Sequence, residues 1–266
     1  MWVAACLLAL LCLGSPAAAE NGGSGSAPTY SSASIVNSAT NASGPLAPNT
    51  IASLYGQNLS WTTRAVSADD LRQGSLPTML TGTGVWVLIN NVPAPLYFVS
   101  PTQVNLLIPG NLVPGTAYLQ IVRDGRAGPK VRLRLREAAP ALYLLDETTA
   151  IAVRPDGSVA TEDSPARPGE IVVLYGTGFG PTRPGFPPGV LAPFAAELEK
   201  KDEFSLWLDG APVAQEDILY AGVTPGYAGL YQINLRLPGG VAPRPEIRIV
   251  AAGIPSPAGV YLPVER

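Results

Sequence analysis

Two stretches of the chain, "TIASLYGQNL" at 50–59 and "EIVVLYGTGF" at 170–179, follow one pattern, an apolar run that ends in Leu-Tyr-Gly. The same interval of 120 residues separates the two isoleucines, Ile51 and Ile171, and the two tyrosines. Each run is rich in β-branched and aromatic residues and stops at a glycine, which is typical of a short β-strand that leads into a turn. We therefore expect the chain to repeat one structural unit.

The repeat continues beyond these strands. "VWVLINNVPAP" at 85–95 matches "SLWLDGAPVA" at 205–214, and "TQVNLLIPGNLVPG" at 102–115 matches "YQINLRLPGGVAP" at 231–243. Short apolar blocks separated by turns that contain Pro, Gly or Asn are typical of β-sandwiches. The sequence thus predicts an all-β fold, with two tandem immunoglobulin-like β-sandwich domains from an internal duplication.

These patterns also predict the organisation of the chain. A signal peptide is expected at 1–19, a flexible Gly/Ser-rich tail at 20–34, the first sandwich at 35–137 and the second at 138–266. One run, "APFAAELEKKDE" at 192–203, resembles a short helix and is expected to form a surface insertion.

The first twenty residues, "MWVAACLLALLCLGSPAAAE", predict export. The apolar run from Val3 to Leu13 is too short to span a bilayer, and small residues precede the expected cleavage after Ala19. Both cysteines, Cys6 and Cys12, lie inside this segment, so the mature chain has no disulfide or thiol chemistry. We expect a secreted, periplasmic or cell-envelope protein with no transmembrane segment in its mature chain.

The composition of the 266 residues limits the possible chemistry. There is no histidine, which removes the commonest general base and metal ligand. The net charge of -3 argues against a nucleic-acid binder, because such proteins need a broad basic surface. We predict no metal, no cofactor and no nucleic-acid partner, and an unidentified protein or polysaccharide as the partner.

Four motifs together resemble a known family. They are "LAPNTIASLYGQNLS" at 46–60, "VPAPLYFVSPTQVNLLIP" at 92–109, "SPARPGEIVVLYGTGFGP" at 164–181 and "AGLYQINLRLP" at 228–238. The chain is similar there to the Solibacter-type uncharacterised C-terminal domain of exported acidobacterial proteins, and each half resembles an immunoglobulin-like domain of the IPT/TIG type. The resemblance implies a β-sandwich fold in an exported protein and supplies no catalytic residues.

Paired carboxylates remain as candidates for catalysis, because a glycoside hydrolase needs only two of them. The acidic pairs are Asp146 with Glu147, Glu162 with Asp163, and Glu216 with Asp217. Adjacent residues of a strand point to opposite faces, so none of these pairs makes a catalytic dyad by itself. Solvated loop acids are the favoured interpretation. Calcium binding by "RPDGSVATEDS" at 154–164 is a weaker alternative, since the regular ligand spacing of a known calcium loop is missing.

A basic strand distinguishes the first half from the second. In "VRLRLR" at 131–136, Arg132, Arg134 and Arg136 share one face, whereas the second half has "VYLPVE" at the matching place. Like charges protect an edge strand from pairing with other chains, and this is the favoured interpretation. The alternative is a contact for an acidic polysaccharide or protein.

Four aromatic side chains are further candidates for contacts. Trp61 follows the first strand in a polar stretch, and Tyr227 lies in a loop that only the second half contains, so both are predicted to be exposed contact residues. Trp86 and Trp207 fall on the same face of their strands, where they either stack on a glycan or pack against the other domain. Packing is favoured, because large aromatic side chains are highly buried on average.

Two repeated motifs are predicted to be structural. Each Leu-Tyr-Gly motif ends a strand, and each Gln-x-Asn motif places two amides on one strand face, either as a ledge for sugar hydroxyls or as partners for buried polar groups. The second role is favoured. The eight residues concerned are Tyr55, Gly56, Gln103, Asn105, Tyr175, Gly176, Gln232 and Asn234.

The functional expectation follows from these patterns. A duplicated immunoglobulin-like fold without catalytic side chains predicts a non-catalytic exported module for adhesion, matrix attachment or protein–protein contacts. The alternatives are a polysaccharide-binding module or a carboxylate-dependent glycoside hydrolase.

Overall fold

A computed structural model describes residues 25–265, and its regular structure consists of β-strands and short 3-10 turns. The predicted signal peptide at 1–19 and the beginning of the predicted tail lie outside these residues. All strand pairs in the four sheets are antiparallel, so the expected all-β fold is confirmed. No helix within 25–265 is long and apolar enough to cross a membrane.

The first half contains two sheets, with strand orders β1-β2-β7-β6-β3 and β10-β8-β4-β5, and β9 pairs with β8. Its strands are β1 (Ile35–Asn37), β2 (Ile51–Tyr55), β3 (Arg64–Ala65), β4 (Val85–Ile89), β5 (Val92–Pro93), β6 (Leu96–Val99), β7 (Gln103–Leu107), β8 (Gly115–Arg123), β9 (Arg126–Ala127) and β10 (Val131–Leu135).

The second half also contains two sheets. The larger sheet has the strand order β11-β13-β19-β18-β15-β14, and β12 also pairs with β13. The smaller sheet has the order β17-β16-β20-β21. The strands are β11 (Ala141–Leu142), β12 (Ala152–Val153), β13 (Ile171–Thr177), β14 (Thr182–Arg183), β15 (Ala196–Leu198), β16 (Ser205–Leu208), β17 (Ala211–Pro212), β18 (Ile218–Val223), β19 (Tyr231–Arg236), β20 (Ile247–Ala251) and β21 (Ile254–Pro255).

Each half encloses its own apolar core between its two sheets. β4 shows the alternation of a strand with one buried face: Val85, Val87 and Ile89 are fully buried, while Trp86 points outward. The two Leu-Tyr-Gly strands also pair in one register, since Tyr55 lies opposite Gln103 and Tyr175 opposite Gln232. The shared register is what a duplication would produce, and the duplication itself remains a prediction.

The run at 192–203 does not form the expected helix. It contains the strand β15, which pairs with β14 and β18, and then the 3-10 turn Lys201–Glu203. In β15, Ala196 and Leu198 are buried and Glu197 between them is exposed. Burial that alternates with a period of two residues suits a strand, and here it outweighs the helix propensity of the sequence. The other 3-10 turns are Ser32–Ser34, Ala68–Asp70 and Gln215–Asp217.

The end of the expected flexible tail is bound to the first sandwich. The amide of Thr29 donates to Gln57, and the amide of Gln57 donates back, both at 2.9 Å. The hydroxyl of Tyr30 donates to the carbonyl of Pro129 at 2.7 Å and accepts from the amide of Ile121 at 2.7 Å. Burial raises the pKa of Tyr30 to about 12, although the amide opposes the shift. The carbonyl of Ser26 also accepts from the side chain of Arg123, so the segment 26–34 is a bound strap and not a free tail.

The two halves meet in a third apolar cluster. The Tyr97 hydroxyl donates to the carbonyl of Ala228, and Thr177 Oγ1 accepts from the amide of Ile51 at 2.9 Å. Burial raises the pKa of Tyr97. The buried members of this interface cluster are Ala39, Ile51, Leu76, Tyr97 and Leu107 from the first half, and Ala141, Tyr143, Ile151, Val153, Ala228 and Leu230 from the second.

The loop between β3 and β4 contains a buried carboxylate. Asp70 accepts hydrogen bonds from the amide and hydroxyl of Ser67, each at 2.9 Å, and pairs with Arg64 at 2.8 Å. The amide of Ser67, followed by Arg64, lowers the pKa of Asp70 from 3.8 to about 2. The ionised carboxylate thus closes the 3-10 turn Ala68–Asp70.

This carboxylate predicts a dependence of stability on pH. Because the folded pKa lies below the unfolded value, the stabilisation is complete above pH 3.8 and is lost as the pH falls toward about 2. At pH 6, Asp70→Asn should lower the free energy of unfolding by roughly 2 kcal/mol, since it weakens charge-assisted hydrogen bonds. Urea titrations should show this difference shrinking near pH 2. The exposed neighbour variant Asp69→Asn should have little effect, and a pH-independent deficit for Asp70→Asn would contradict the assignment.

Candidate functional site

Two arginines of β10 and a third that directly follows the strand line a groove at the junction of the two halves. Arg132, Arg134 and Arg136 are all exposed, while Leu133 and Leu135 between them are buried in the core of the first sandwich. The groove has a volume of about 500 Å³. We call it the arginine groove, and its lining includes Thr116, Arg132, Arg134, Arg136, Glu137 and Ile254.

The three guanidinium groups have no ion-pair or side-chain hydrogen-bond partner among residues 25–265. The acids of the nearby insertion are paired elsewhere, since Glu197 binds Lys201 and Glu199 binds Arg183. Glu137, the one carboxylate among the described residues that line the groove, binds Lys200 at 2.6 Å. The donors of the arginines therefore face solvent and are available to an anion.

Part of the β10 edge is already covered by the chain itself. β10 lies at the end of its sheet, as edge protection requires. However, the amide of Leu46 donates to the Arg134 carbonyl at 3.0 Å, and its carbonyl accepts from the Arg136 amide at 2.8 Å. These backbone atoms cannot pair with another chain, so the charges at Arg134 and Arg136 are not needed to protect them.

Trp61 has a different environment from the groove. Its side chain is 45% exposed, as expected, but its ring lies 3.6 Å from the guanidinium of Arg123 and its Nε1 donates to Asp124 at 2.8 Å. The side chain of Arg123 donates to the carbonyls of Asn58 and Ser26. Trp61 thus covers a structural cluster formed with Arg123 and Asp124. Its polar neighbours in the sequence give no sign of this role.

The Arg123 cluster holds the N-terminal strap on the sandwich. Arg123 is fully buried, and its bond to the carbonyl of Ser26 measures 2.5 Å. Burial lowers the pKa of this guanidinium, and the neighbouring Asp124 opposes the shift. Its Nε has no partner within 25–265. The inward position of Arg123 on β8 removes it from any binding surface.

Tyr227 is not the exposed contact that was expected. Its side chain is half-buried and packs against the interface cluster, and burial raises the pKa of its hydroxyl. The amide of Ala192 donates to the Tyr227 carbonyl at 3.1 Å, and the amide of Gly226 donates to Ala192 at 2.7 Å. The loop that only the second half contains therefore helps to join the halves.

The Gln-x-Asn amides bond to one another. Gln103 Nε2 donates to Asn105 Oδ1 at 2.8 Å, and Gln232 Nε2 donates to Asn234 Oδ1 at 3.1 Å. Gln103 and Asn105 are buried, so the first pair cannot act as a ledge for sugars. The second pair is half-buried.

The glycines of the Leu-Tyr-Gly motifs are needed for close approach. A Cβ on Gly56 would collide with the carbonyl of Thr29 in the strap. A Cβ on Gly176 would lie 2.5 Å from the Ala141 carbonyl. The tyrosines that precede them differ in exposure, since Tyr55 is 36% exposed and Tyr175 packs against the interface cluster. The two glycines are therefore needed for packing, and the structural role of the two tyrosines stays a prediction.

Neither strand tryptophan packs in the interface cluster, contrary to the favoured expectation. Trp86 is 37% exposed on the outer face of the first half's second sheet. Trp207 is half-buried, and its Nε1 donates to Ser205 at 3.0 Å. The interface is formed instead by the other sheet, through residues such as Ile51, Tyr97 and Leu107.

Three of the six acidic candidates, one from each pair, have structural partners. Glu162 binds Arg244 at 2.8 Å and Asp217 binds Arg236 at 3.5 Å. Asp146 accepts from the amides of Thr148 and Thr149 in a turn, which lowers its pKa, whereas a general acid needs a raised one. Among residues 25–265 there is no group of three or more acids that could hold a metal ion.

No protein-family model matches the chain, and no curated protein matches it. Among solved structures, it is similar to the protein SGBP-B of the Bacteroides ovatus mixed-linkage glucan utilization locus, solved with a mixed-linkage heptasaccharide. The identity is 13% with a TM-score of 0.33, over 83% of this chain and 43% of that one.

Two further solved structures are similar to the chain, with identities and TM-scores that are also low. The surface glycan-binding protein PbSGBP-B from Prevotella bryantii is 13% identical with a TM-score of 0.27, over 90% of this chain and 42% of that one. Domains 5–6 of the S-layer protein SbsC are 10% identical with a TM-score of 0.28, over 89% of this chain and 98% of that one. The chain spans less than half the length of the two SGBP-B proteins. These are distant likenesses among β-rich proteins, and no family assignment follows from them.

Proposed function

We propose that this chain is a non-catalytic, exported β-sandwich module that attaches to acidic polymers of a cell surface or matrix through the arginine groove. The observation that carries the proposal is the row of three exposed, unpaired guanidinium groups at Arg132, Arg134 and Arg136. The N-terminal segment supports export, because it has the features of a signal peptide.

The spacing of the arginines suits a linear polyanion. Residues two apart on a strand are about 7 Å apart and point the same way, so the row presents three cations over about 14 Å. The protein as a whole carries a net charge of -3, so the row is a local positive feature and not part of a generally basic surface. Such a row attracts a polymer with regularly spaced carboxylates or sulfates.

Edge protection and hydrolysis fit the structure less well. The chain already covers the edge at Arg134 and Arg136 through Leu46, which reduces the need for charge there. For hydrolysis, the acids should form a facing pair in an open cleft, yet Glu162 and Asp217 pair with arginines. Attachment without catalysis is therefore the function that the geometry supports best.

The test is a triple substitution of the row, Arg132→Gln with Arg134→Gln and Arg136→Gln. Three exposed charge contacts contribute about 0.7 kcal/mol each, so affinity for an anionic polysaccharide should fall on the order of thirtyfold. Wild-type binding should weaken with added salt, because exposed charges are screened within about 8 Å at physiological ionic strength. Affinity electrophoresis or calorimetry over a salt series measures both effects, and the melting temperature should stay nearly constant.

The matched control changes the same charge elsewhere, with Arg72→Gln, Arg167→Gln and Arg183→Gln at exposed positions. This variant should bind like the wild type. If both triple variants lose affinity equally, the effect is one of net charge and the groove is not the site. If the groove variant keeps its affinity and self-associates in light scattering, the arginines protect the edge and the proposal is wrong.

A further inference from the structure

An exposed aromatic face lies next to the arginine groove. β4 and β8 present Trp86 and Tyr118 outward, and these side chains are 37% and 52% exposed. A contiguous exposed apolar patch marks an interaction site more often than single exposed side chains do. Leu88 and Gln120, which face each other between them, are half-buried and complete a continuous surface. We call the surface formed by Trp86, Leu88, Tyr118 and Gln120 the aromatic face.

The aromatic face and the arginine groove belong to one sheet. Arg132 on β10 lies directly opposite Tyr118 on β8, and both point away from the core. Trp86 lies opposite Val122, which is four residues beyond Tyr118 on β8. The two aromatic positions are therefore about 13 Å apart along the strands. One linear ligand can contact both rings and the arginine row.

The two kinds of side chain specify the chemistry of that ligand. An aromatic ring offers a flat apolar surface that suits the C–H face of a pyranose ring. It gains no such contact from an acidic polymer that has no sugar rings. A guanidinium binds a carboxylate through two parallel hydrogen bonds. A sugar that bears a carboxylate satisfies both requirements.

We propose that the ligand is a polyuronate, a chain of uronic-acid sugars that crosses β4, β8 and β10. Its sugar rings stack on Trp86 and Tyr118, and its carboxylates pair with Arg132 and Arg134. This assignment rests on the proposed attachment function and adds the class of polymer. An acidic protein segment would use the arginine row alone, so its binding would not depend on the aromatic face.

The experiment compares two polymers that share the carboxylate but differ in rings, polygalacturonate and poly-L-glutamate. The variant Trp86→Ala with Tyr118→Ala should bind polygalacturonate at least about tenfold more weakly than the wild type, because two stacking contacts are lost. Its affinity for poly-L-glutamate should not change. Trp86→Tyr should retain most of the polygalacturonate affinity, because a ring remains. Phe194→Ala is the control, since Phe194 is also 52% exposed but lies in the second half.

The outcomes separate this inference from the function on which it rests. If the double variant binds polygalacturonate like the wild type, the aromatic face is not used and the polyuronate assignment is wrong, while a groove-dependent affinity for both polymers would still support attachment. Equal losses for both polymers would also overturn the assignment, because they would indicate a general disturbance of the sheet. If the wild type binds neither polymer, the polyuronate assignment is wrong, and the attachment function fails as well if the wild type does not bind a sulfated polysaccharide either.

Discussion

Replacing Gly229 by alanine should lower the free energy of unfolding by about 3 kcal/mol, from left-handed strain and from overpacking. Gly229 has a φ of +71, and a Cβ there would collide with a methyl group of Leu107 and lie 2.7 Å from the Asn49 carbonyl. Both neighbours belong to the first half, so the added methyl group would push the two halves apart. Its carbonyl also accepts from Thr177 Oγ1 at 2.8 Å, and that bond would be displaced.

The same loop supplies the control for this prediction. Gly226 has a φ of +85, but nothing lies within 4 Å of a Cβ built there. Gly226→Ala should therefore cost only the backbone strain, roughly 1 kcal/mol. Urea unfolding followed by tryptophan fluorescence measures both variants. If the two variants lost the same free energy of unfolding, the interface would accommodate the methyl group at Gly229. The two halves would then not be held in one fixed arrangement.

Truncation of Arg123 should destabilise the first half by about 3 kcal/mol. Arg123→Ala leaves the carbonyls of Asn58 and Ser26 without the donor that the buried guanidinium supplies, and it removes the cation beneath Trp61. The strap at 26–34 should also loosen, because Ser26 is one of its attachment points. Chemical denaturation measures the loss, and hydrogen exchange at Thr29 and the residues after it measures the loosening.

Two further variants test the role of Arg123. Arg126→Ala changes an exposed arginine in the adjoining hairpin and should alter stability by less than about 0.5 kcal/mol. Arg123→Lys keeps the charge but loses the forked donors, so it should recover only part of the stability. If Arg123→Ala lowered the free energy of unfolding by less than about 1 kcal/mol, the contacts of Arg123 would not hold the strap in place.

Local periodicity was enough to predict much of the fold. Alternation in β10 indicated that the three arginines share one face, and this followed from the sequence. Trp86 was expected to pack against the other domain, and it lies exposed instead. The β-sandwich class followed from short apolar blocks between Gly and Pro turns. These features depend on residues close together in the chain, where steric preferences act directly.

The contacts between halves could not be predicted in this way. Tyr97, Tyr143 and Ala228 meet in the interface although they are far apart in sequence, and no pattern marks which face of a sheet packs on another domain. For the same reason Tyr227 was expected in solvent and lies half-buried. The strap was also missed, because a Gly/Ser-rich composition does not show that Arg123 and Ile121 offer it partners.

The arginine strand has one more consequence, for digestion by proteases. A trypsin-like enzyme cleaves after arginine, and it must first draw the substrate out as a free extended segment. In the folded protein, β10 pairs with β8 from Val131 to Leu135, and Leu46 holds the other side at Arg134 and Arg136. Cleavage there requires β10 to detach, so resistance to trypsin reports how often the strand opens. A cut in the strand that we propose as the attachment point would thus mark a copy in which that strand has detached.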